Sequence, residues 1–237
     1  MTAQDAIATL IDAASLKFRA AGPYAYYFAR GKLTGDPFYE HLLAHGLLRG
    51  RNRILDLGCG QGLLAAWLRE ARALHATGDW PAGWPAPPLP QSIAGIDLEP
   101  RDVRRAQLAL GGYAQFAAGD LREAAIAQAD AIVIMDVLHY VEPAAQQRIL
   151  QRIRASLPDD GLLLLRVGDA DRGLRSRISR CVDQCLLFLR SGTVHGLHRR
   201  PLRDWQSLLA VTGFRSVPVP MKSAAPFADV LLDCRPA

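Results

Sequence analysis

Apolar residues follow two different spacings along this chain. Near the N-terminus they recur at three- and four-residue intervals: Ile7, Leu10, Ile11 and Ala14 share one face of a helix expected over Gln4–Phe18. An aromatic-rich stretch, "GPYAYYFARGKLTGDPFYEHLLAHGLL", follows. It is broken by Gly22-Pro23 and Asp36-Pro37, which predicts several short helices. From Arg53 onward, short apolar runs alternate with helical patterns. Strands are expected at Arg53–Leu57, Ser92–Asp97, Tyr113–Ala117, Ala131–Met135, Leu162–Val167, Phe214–Val219 and Val230–Cys234. Helices are expected at Gly62–His75, Pro100–Leu110, Ala144–Leu157, Leu174–Arg190 and Leu202–Val211. Such alternation specifies an α/β chain whose largely parallel sheet is covered on both faces. About ten residues join the last two strands, too few for a helical crossover, so that pair is expected to be antiparallel.

The chain has 237 residues, half of them apolar, enough for one sizeable domain with an appendage. The pattern places a helical segment at 1–50 and the α/β domain at 51–237. An insertion at 78–91, "GDWPAGWPAPPLPQ", carries five prolines and two tryptophans, and can neither continue a helix nor enter a central strand. It reads as a surface loop with Trp80 and Trp84 packed down, or as a partner contact. No apolar run reaches the roughly 18–20 residues that cross a bilayer. The N-terminal stretch lacks the basic start of a secretory signal. The four cysteines are scattered and make no disulfide framework, so a cytoplasmic protein with reduced thiols is expected.

The stretch "ILDLGCGQG" ends the first strand in a glycine-rich loop. Glycines there allow tight turns and close backbone approach to a ligand, and the next helix offers its free N–H groups. The nicotinamide fingerprint G-x-G-x-x-G is not met, because Leu63 stands where its third glycine would be. Asp56 precedes the loop. A carboxylate there repels a pyrophosphate and attracts a cationic amino group, which favours S-adenosylmethionine. At the end of the second strand, Asp97 is placed to accept hydrogen bonds from ribose hydroxyls. Asp120, after the third, can accept the exocyclic adenine amine, and Met135 ends the fourth strand beside the methyl donor.

With D-x-G-x-G-x-G, an acid after strand two, G-D after strand three and "DAIVIMDVLHYV" at strand four, the chain resembles the class I S-adenosylmethionine-dependent methyltransferases over about Arg53–Arg235. The resemblance implies a Rossmann-like, mostly parallel seven-stranded sheet of order 3-2-1-4-5-7-6, flanked by helices, with an N-terminal helical lid. It implies S-adenosylmethionine as cofactor and S-adenosylhomocysteine as product. Asp56, Gly58, Cys59 and Gly60 would hold the methionine end. Asp97 and Leu98 would flank the ribose, Asp120 and Leu121 the adenine, and Met135 the methyl donor. The 78–91 insertion departs from the family's spacing without removing a motif residue.

The acceptor is less legible. Transfer from a sulfonium needs in-line positioning; a phenol or carboxylic acid also needs its proton removed. His139 follows the fourth strand and is either that base or a wall of the site, with Tyr140 beside it. Tyr24 and Tyr27 either stack on a flat acceptor or anchor the cap. No D/N-P-P-Y/F motif and no Pro-Cys or Thr-Cys follows strand four, which counts against nucleobase, amide and C5-methylated RNA acceptors. Cys181 and Cys185, and His41 and His45, stand at i, i+4 without a second pair, so no metal site is expected. His195 and His198 are expected in a loop.

The net charge is +5, carried almost wholly by arginine. Between Arg172 and Arg203 eight arginines face one acid, Asp183. That excess reads as base composition, or as a surface for an acidic partner: an anionic small molecule, a carrier protein with a tethered acyl chain, or nucleic acid, the last disfavoured because aromatics do not interleave. The segment "GPYAYYFARGKLTGDPF" resembles methyltransferases of aryl polyene and pigment biosynthesis, which implies secondary metabolism and a carrier-bound aromatic or polyene acid. The expected function is methyl transfer to the oxygen or carbon of a small aromatic or carboxylic acceptor. The alternatives are a non-catalytic cofactor-binding subunit and a nicotinamide-dependent oxidoreductase. The oligomeric state is not readable.

Overall fold

A computed structural model describes residues 1–169, 198–219 and 229–237. Helix α1 spans Ala3–Leu16 and opens with a capping box: Thr2 Oγ1 accepts from Asp5 N at 3.1 Å, and the Asp5 carboxylate accepts from Thr2 N at 3.3 Å. Its buried face is Ala6, Leu10 and Ala14, and a 3₁₀ turn at Lys17–Ala21 ends it. Both proline breaks are helix starts. Pro23 is the first residue of α2 (Pro23–Gly35), and Pro37 opens α3 (Pro37–Ala44), where Asp36 caps Phe38 N at 3.0 Å.

Seven strands follow: β1 Arg53–Leu57, β2 Ser92–Asp97, β3 Gln115–Ala118, β4 Ala131–Met135, β5 Leu162–Gly168, β6 Phe214–Val219 and β7 Asp229–Pro236. The remaining described helices are α4 Leu63–Ala76, α5 Pro100–Leu110, α6 Pro143–Ser156 and α7 Leu202–Val211. The sheet has the expected order, β3-β2-β1-β4-β5-β7-β6. β1, β2 and β3 pair in parallel, with Asp56 beside Gly95 and Asp97 beside Ala118. β7 runs antiparallel to both β5 and β6, as the short connection required. The third strand begins two residues later than expected, because Tyr113 closes a turn against Leu110 O. The expected helix Leu174–Arg190, with Cys181 and Cys185, lies outside the described residues, as does His195.

The chain divides into two compact units, Met1–Ala125 with Ala129–Ala131, and Ile126–Gln128 with Ile132–Ala237. In the first, the core joins Leu10, Phe18, Leu42 and Leu43 of the N-terminal helices to Leu57, Trp67 and Leu68, all nearly inaccessible. Trp67 Nε1 donates to Tyr39 O at 2.9 Å, so its one polar atom is satisfied. Asp130 clamps the start of β1, accepting from Asn52 N and Arg53 N at 3.0 and 2.9 Å. The proline-rich insertion is packed down: Trp80 Nε1 donates to Pro85 O at 3.0 Å, and Trp80 meets Trp84 and His75 edge-on. In the second unit β5 is buried along its whole length, and α7 sets Trp205 and Leu209 into the core.

Candidate functional site

The glycine loop leaves β1 and turns on three residues in the left-handed region, Gly58, Gly60 and Gly62, with φ of 82°, 53° and 83°. Gly58 N and Cys59 N both donate to Ile96 O of β2, at 2.7 and 3.1 Å. A Cβ at Gly62 would stand 2.8 Å from Phe116 Cζ; one at Gly60 would meet nothing within 4 Å. Gly62 is therefore fixed by packing, whereas Gly60 borders open space. Cys59 is buried against Gly95, where a Cβ would lie 2.7 Å from its sulfur. Burial, then Asp56 and Asp97, push its thiol pKa up, so it is a neutral packing group.

Asp56 is buried at 7% exposure, and no described residue donates a hydrogen bond to its carboxylate. Burial, reinforced by Asp97, raises its pKa to about 7. Asp97 is already engaged: it accepts from Gly60 N at 2.7 Å and from Glu99 N at 2.9 Å. It thus brackets the glycine loop to the end of β2. Asp120 is gripped by Arg122, whose Nε lies 2.8 Å from Oδ2, and this hydrogen bond holds its pKa below the usual range. Leu98 is 63% exposed beside Asp97, while Leu121 is buried.

All these residues belong to the first unit. So do Tyr24 and Tyr27 on α2, exposed at 52% and 69%. Arg105 stacks over Tyr24 at 4.4 Å, and Arg105 itself pairs with buried Asp102 at 2.7 Å. Tyr27 meets Tyr26 edge-on. His41 and His45 stack at 3.9 Å, and no cluster of three potential metal ligands occurs among the described residues.

In the second unit Met135 is half-buried at the end of β4. The next residue, Asp136, is the one non-glycine residue with positive φ among the described residues, at 60°. Its carboxylate is forked by Arg166 of β5, with Nε at 2.8 Å and Nη2 on the other oxygen. His139 sits in a 3₁₀ turn, Leu138–Tyr140, at 3% exposure, and neither ring nitrogen has a hydrogen-bond partner among the described residues. Burial lowers its pKa to about 4; Arg199 and Arg166 add to that, and Asp136 opposes it. Its ring tilts against half-buried Tyr140 at 4.1 Å. Gln146 locks this turn, donating to Leu138 O and Val141 O at 3.0 and 2.9 Å and accepting from Arg200 Nε at 2.7 Å. His198 N donates to His139 O at 2.7 Å.

Sequence reasoning missed Arg122, Asp136, Arg166, Gln146 and Gln61. One signal was available: Arg166 is a lone charge inside the apolar run "LLLLRV", and a buried charge needs a partner. Asp120 and Arg122 are two residues apart, so that pair was locally readable too, whereas Gln61 with Ala25 and Gln146 with Arg200 pair across distances that no local pattern encodes.

The strand order and the glycine-rich loop at the end of β1 are those of a Rossmann-like α/β domain. The sequence model of the methyltransferase-domain family matches residues 10–219, and the chain belongs to that family. A carboxy-S-adenosyl-L-methionine synthase from Photobacterium profundum is 28% identical over 129 residues, covering 52% of this chain and 47% of that protein. The chain thus spans about half the length of the curated relatives it matches. Among solved structures, the magnesium protoporphyrin IX methyltransferase of Synechocystis PCC 6803, with bound S-adenosylhomocysteine, superimposes with a TM-score of 0.59 at 21% identity, covering 92% of each chain. The mitomycin 7-O-methyltransferase gives 0.57 at 20% identity, covering 96% of this chain and 67% of that one. At these identities the structures establish the fold.

Proposed function

We propose that the protein transfers the methyl group of S-adenosylmethionine to the carboxylate, or less readily the phenol oxygen, of a small acceptor. The observation that carries this reading is His139: buried, without a hydrogen-bond partner among the described residues, and kept neutral down to about pH 4 beside two guanidinium groups. When bound, the cofactor supplies an electrophilic methyl on a sulfonium. Asp56 supplies the counter-charge for its ammonium, and its uncompensated burial fits a cation better than any described side chain does. Gly58 and Gly60 let the backbone approach the methionine end. Asp97, at the end of β2, accepts from the ribose hydroxyls. Leu98 covers the adenosine, and Asp120, steadied by Arg122, accepts the adenine amine. Leu121 completes the apolar lining on this unit. Residues 1–50 cap the site, with Tyr24 and Tyr27 available to a flat acceptor.

A base of pKa about 4 is poorly matched to a phenol of pKa about 10: that proton transfer is uphill by about 8 kcal/mol. A carboxylic acid is already ionised at neutral pH and needs no base. His139 then donates a hydrogen bond to the carboxylate, and the positive potential of Arg166 and Arg199 attracts it. Support for an acidic carrier protein comes from the sequence between Arg172 and Arg203, in which Arg203 is exposed and Arg200 is committed to Gln146.

The test is transfer of isotopically labelled methyl from S-adenosylmethionine to aromatic and aliphatic acids, free and carrier-linked, each beside its primary amide. Ester formation with the acids and none with the amides is expected. Transfer to neither, with intact cofactor binding, would overturn the acceptor assignment. A cofactor gaining the mass of a carboxylate would point instead to the chemistry named for the Photobacterium relative.

A further inference from the structure

Gln61 lies inside the glycine loop, yet it does not face solvent as a loop glutamine ordinarily does. It is 1% exposed, and its Nε2 donates to Ala25 O of α2 at 2.9 Å. Ala25 is itself fully buried. Gln61 Oε1 is buried with no hydrogen-bond partner among the described residues. An unpaired buried amide oxygen is destabilising, and an apolar side chain of equal size would avoid the cost. The amide therefore does something packing does not require. Its neighbours on both sides, Gly60 and Gly62, hold left-handed backbone, so the loop conformation sets where this side chain reaches. On its other flank α2 is held to α5 by Arg105 over Tyr24. The cap helix is thus attached to the glycine loop itself and to α5, whose Ala106 lies against Gly62.

We propose that Gln61 is a positioning residue that couples occupancy of the glycine loop to the seating of α2 over the site. This rests on the cofactor assignment above. A cofactor that orders the backbone of residues 58–62 steadies the Gln61 side chain and with it the Ala25 carbonyl. By linkage, seating of α2 raises cofactor affinity by the same factor. One net hydrogen bond sets that factor at about three- to tenfold.

The experiment is hydrogen exchange of the full chain with and without S-adenosylhomocysteine, in the parent and in Gln61→Met. Methionine keeps the volume and removes both polar atoms. In the parent, the ligand is expected to slow exchange in α2. In the variant, the ligand is expected to bind three- to tenfold more weakly without slowing α2, while the ligand-free melting temperature does not fall. Equal ligand-induced protection of α2 in both proteins would overturn the coupling. So would a variant that melts lower and exchanges faster in α2 regardless of ligand, since that is a purely structural contact. A parent that binds the ligand without protecting α2 removes the coupling alone. A parent that does not bind it removes the cofactor assignment and the coupling together.

Discussion

Asp56 is the residue whose physics is most exposed to test. Its folded pKa, about 7, lies above the 3.8 of an unperturbed aspartate. Folding therefore opposes its ionisation: the stability it contributes is complete below about pH 4 and is lost as pH rises through 7. Three units correspond to about 4 kcal/mol as an upper bound. Asp56→Asn is expected to raise the ligand-free melting temperature at pH 8 and leave it nearly unchanged at pH 4, while abolishing S-adenosylhomocysteine binding; thermal unfolding and calorimetry at both pH values check this. In the parent, the ligand ammonium should bind the ionised carboxylate, so binding at pH 7, where Asp56 is about half protonated, releases about half a proton per ligand. Calorimetry in buffers of different ionisation enthalpy measures that release. His139 runs the opposite way. Its pKa falls to about 4 from 6.5, so neutral His139 favours folding above about pH 6.5, and that contribution disappears as pH drops towards 4. The turnover rate at saturating cofactor should accordingly show no ionisation of His139 between pH 6 and 8, and a limb near 6.5 that vanishes in His139→Gln would contradict the assignment.

At the scale of elements, periodicity made the strands and most helix positions legible, and proline placement made the cap's helix starts legible. Acidic residues at successive strand ends announced the cofactor. What stayed hidden was pairing between elements. Asp136 reads as one more polar residue after β4, and only the fold brings it to Arg166 in the middle of β5. Removing the carboxylate leaves a nearly buried guanidinium without its fork, a change that typically costs 3–5 kcal/mol. Because Asp136 is less buried than Arg166, a loss of about 2–3 kcal/mol is expected for Asp136→Ala in denaturant unfolding. Asp136→Asn tolerates the left-handed backbone and isolates the charge; it should recover little of that loss. The insertion at 78–91 was legible as a non-helical loop with its tryptophans packed down, but the residue it seats against was not. Gly46 explains its seat: at φ 61°, a Cβ there would lie 2.9 Å from Pro85 Cγ. Gly46→Ala is expected to cost about 1–3 kcal/mol through overpacking and backbone strain, also read from denaturant unfolding.

For the whole molecule, ligand linkage joins these scales. A ligand at one hundred times its dissociation constant stabilises by about 2.7 kcal/mol. For a chain of this length each kcal/mol moves the melting temperature by about 2–4 °C, so S-adenosylhomocysteine should raise it by about 5–11 °C at pH 8. At pH 6 about nine-tenths of Asp56 is protonated, effective affinity falls about tenfold, and the same concentration stabilises by only about 1.4 kcal/mol. The shift should then shrink to about 3–6 °C. Asp56, Gly58, Gly60, Asp97 and Asp120 all lie within Met1–Ala125. A shift of equal size at both pH values would mean that the ligand's cation is held elsewhere than at Asp56, whereas a pH-dependent shift that disappears in Asp56→Asn ties the stability of the molecule to one buried carboxylate.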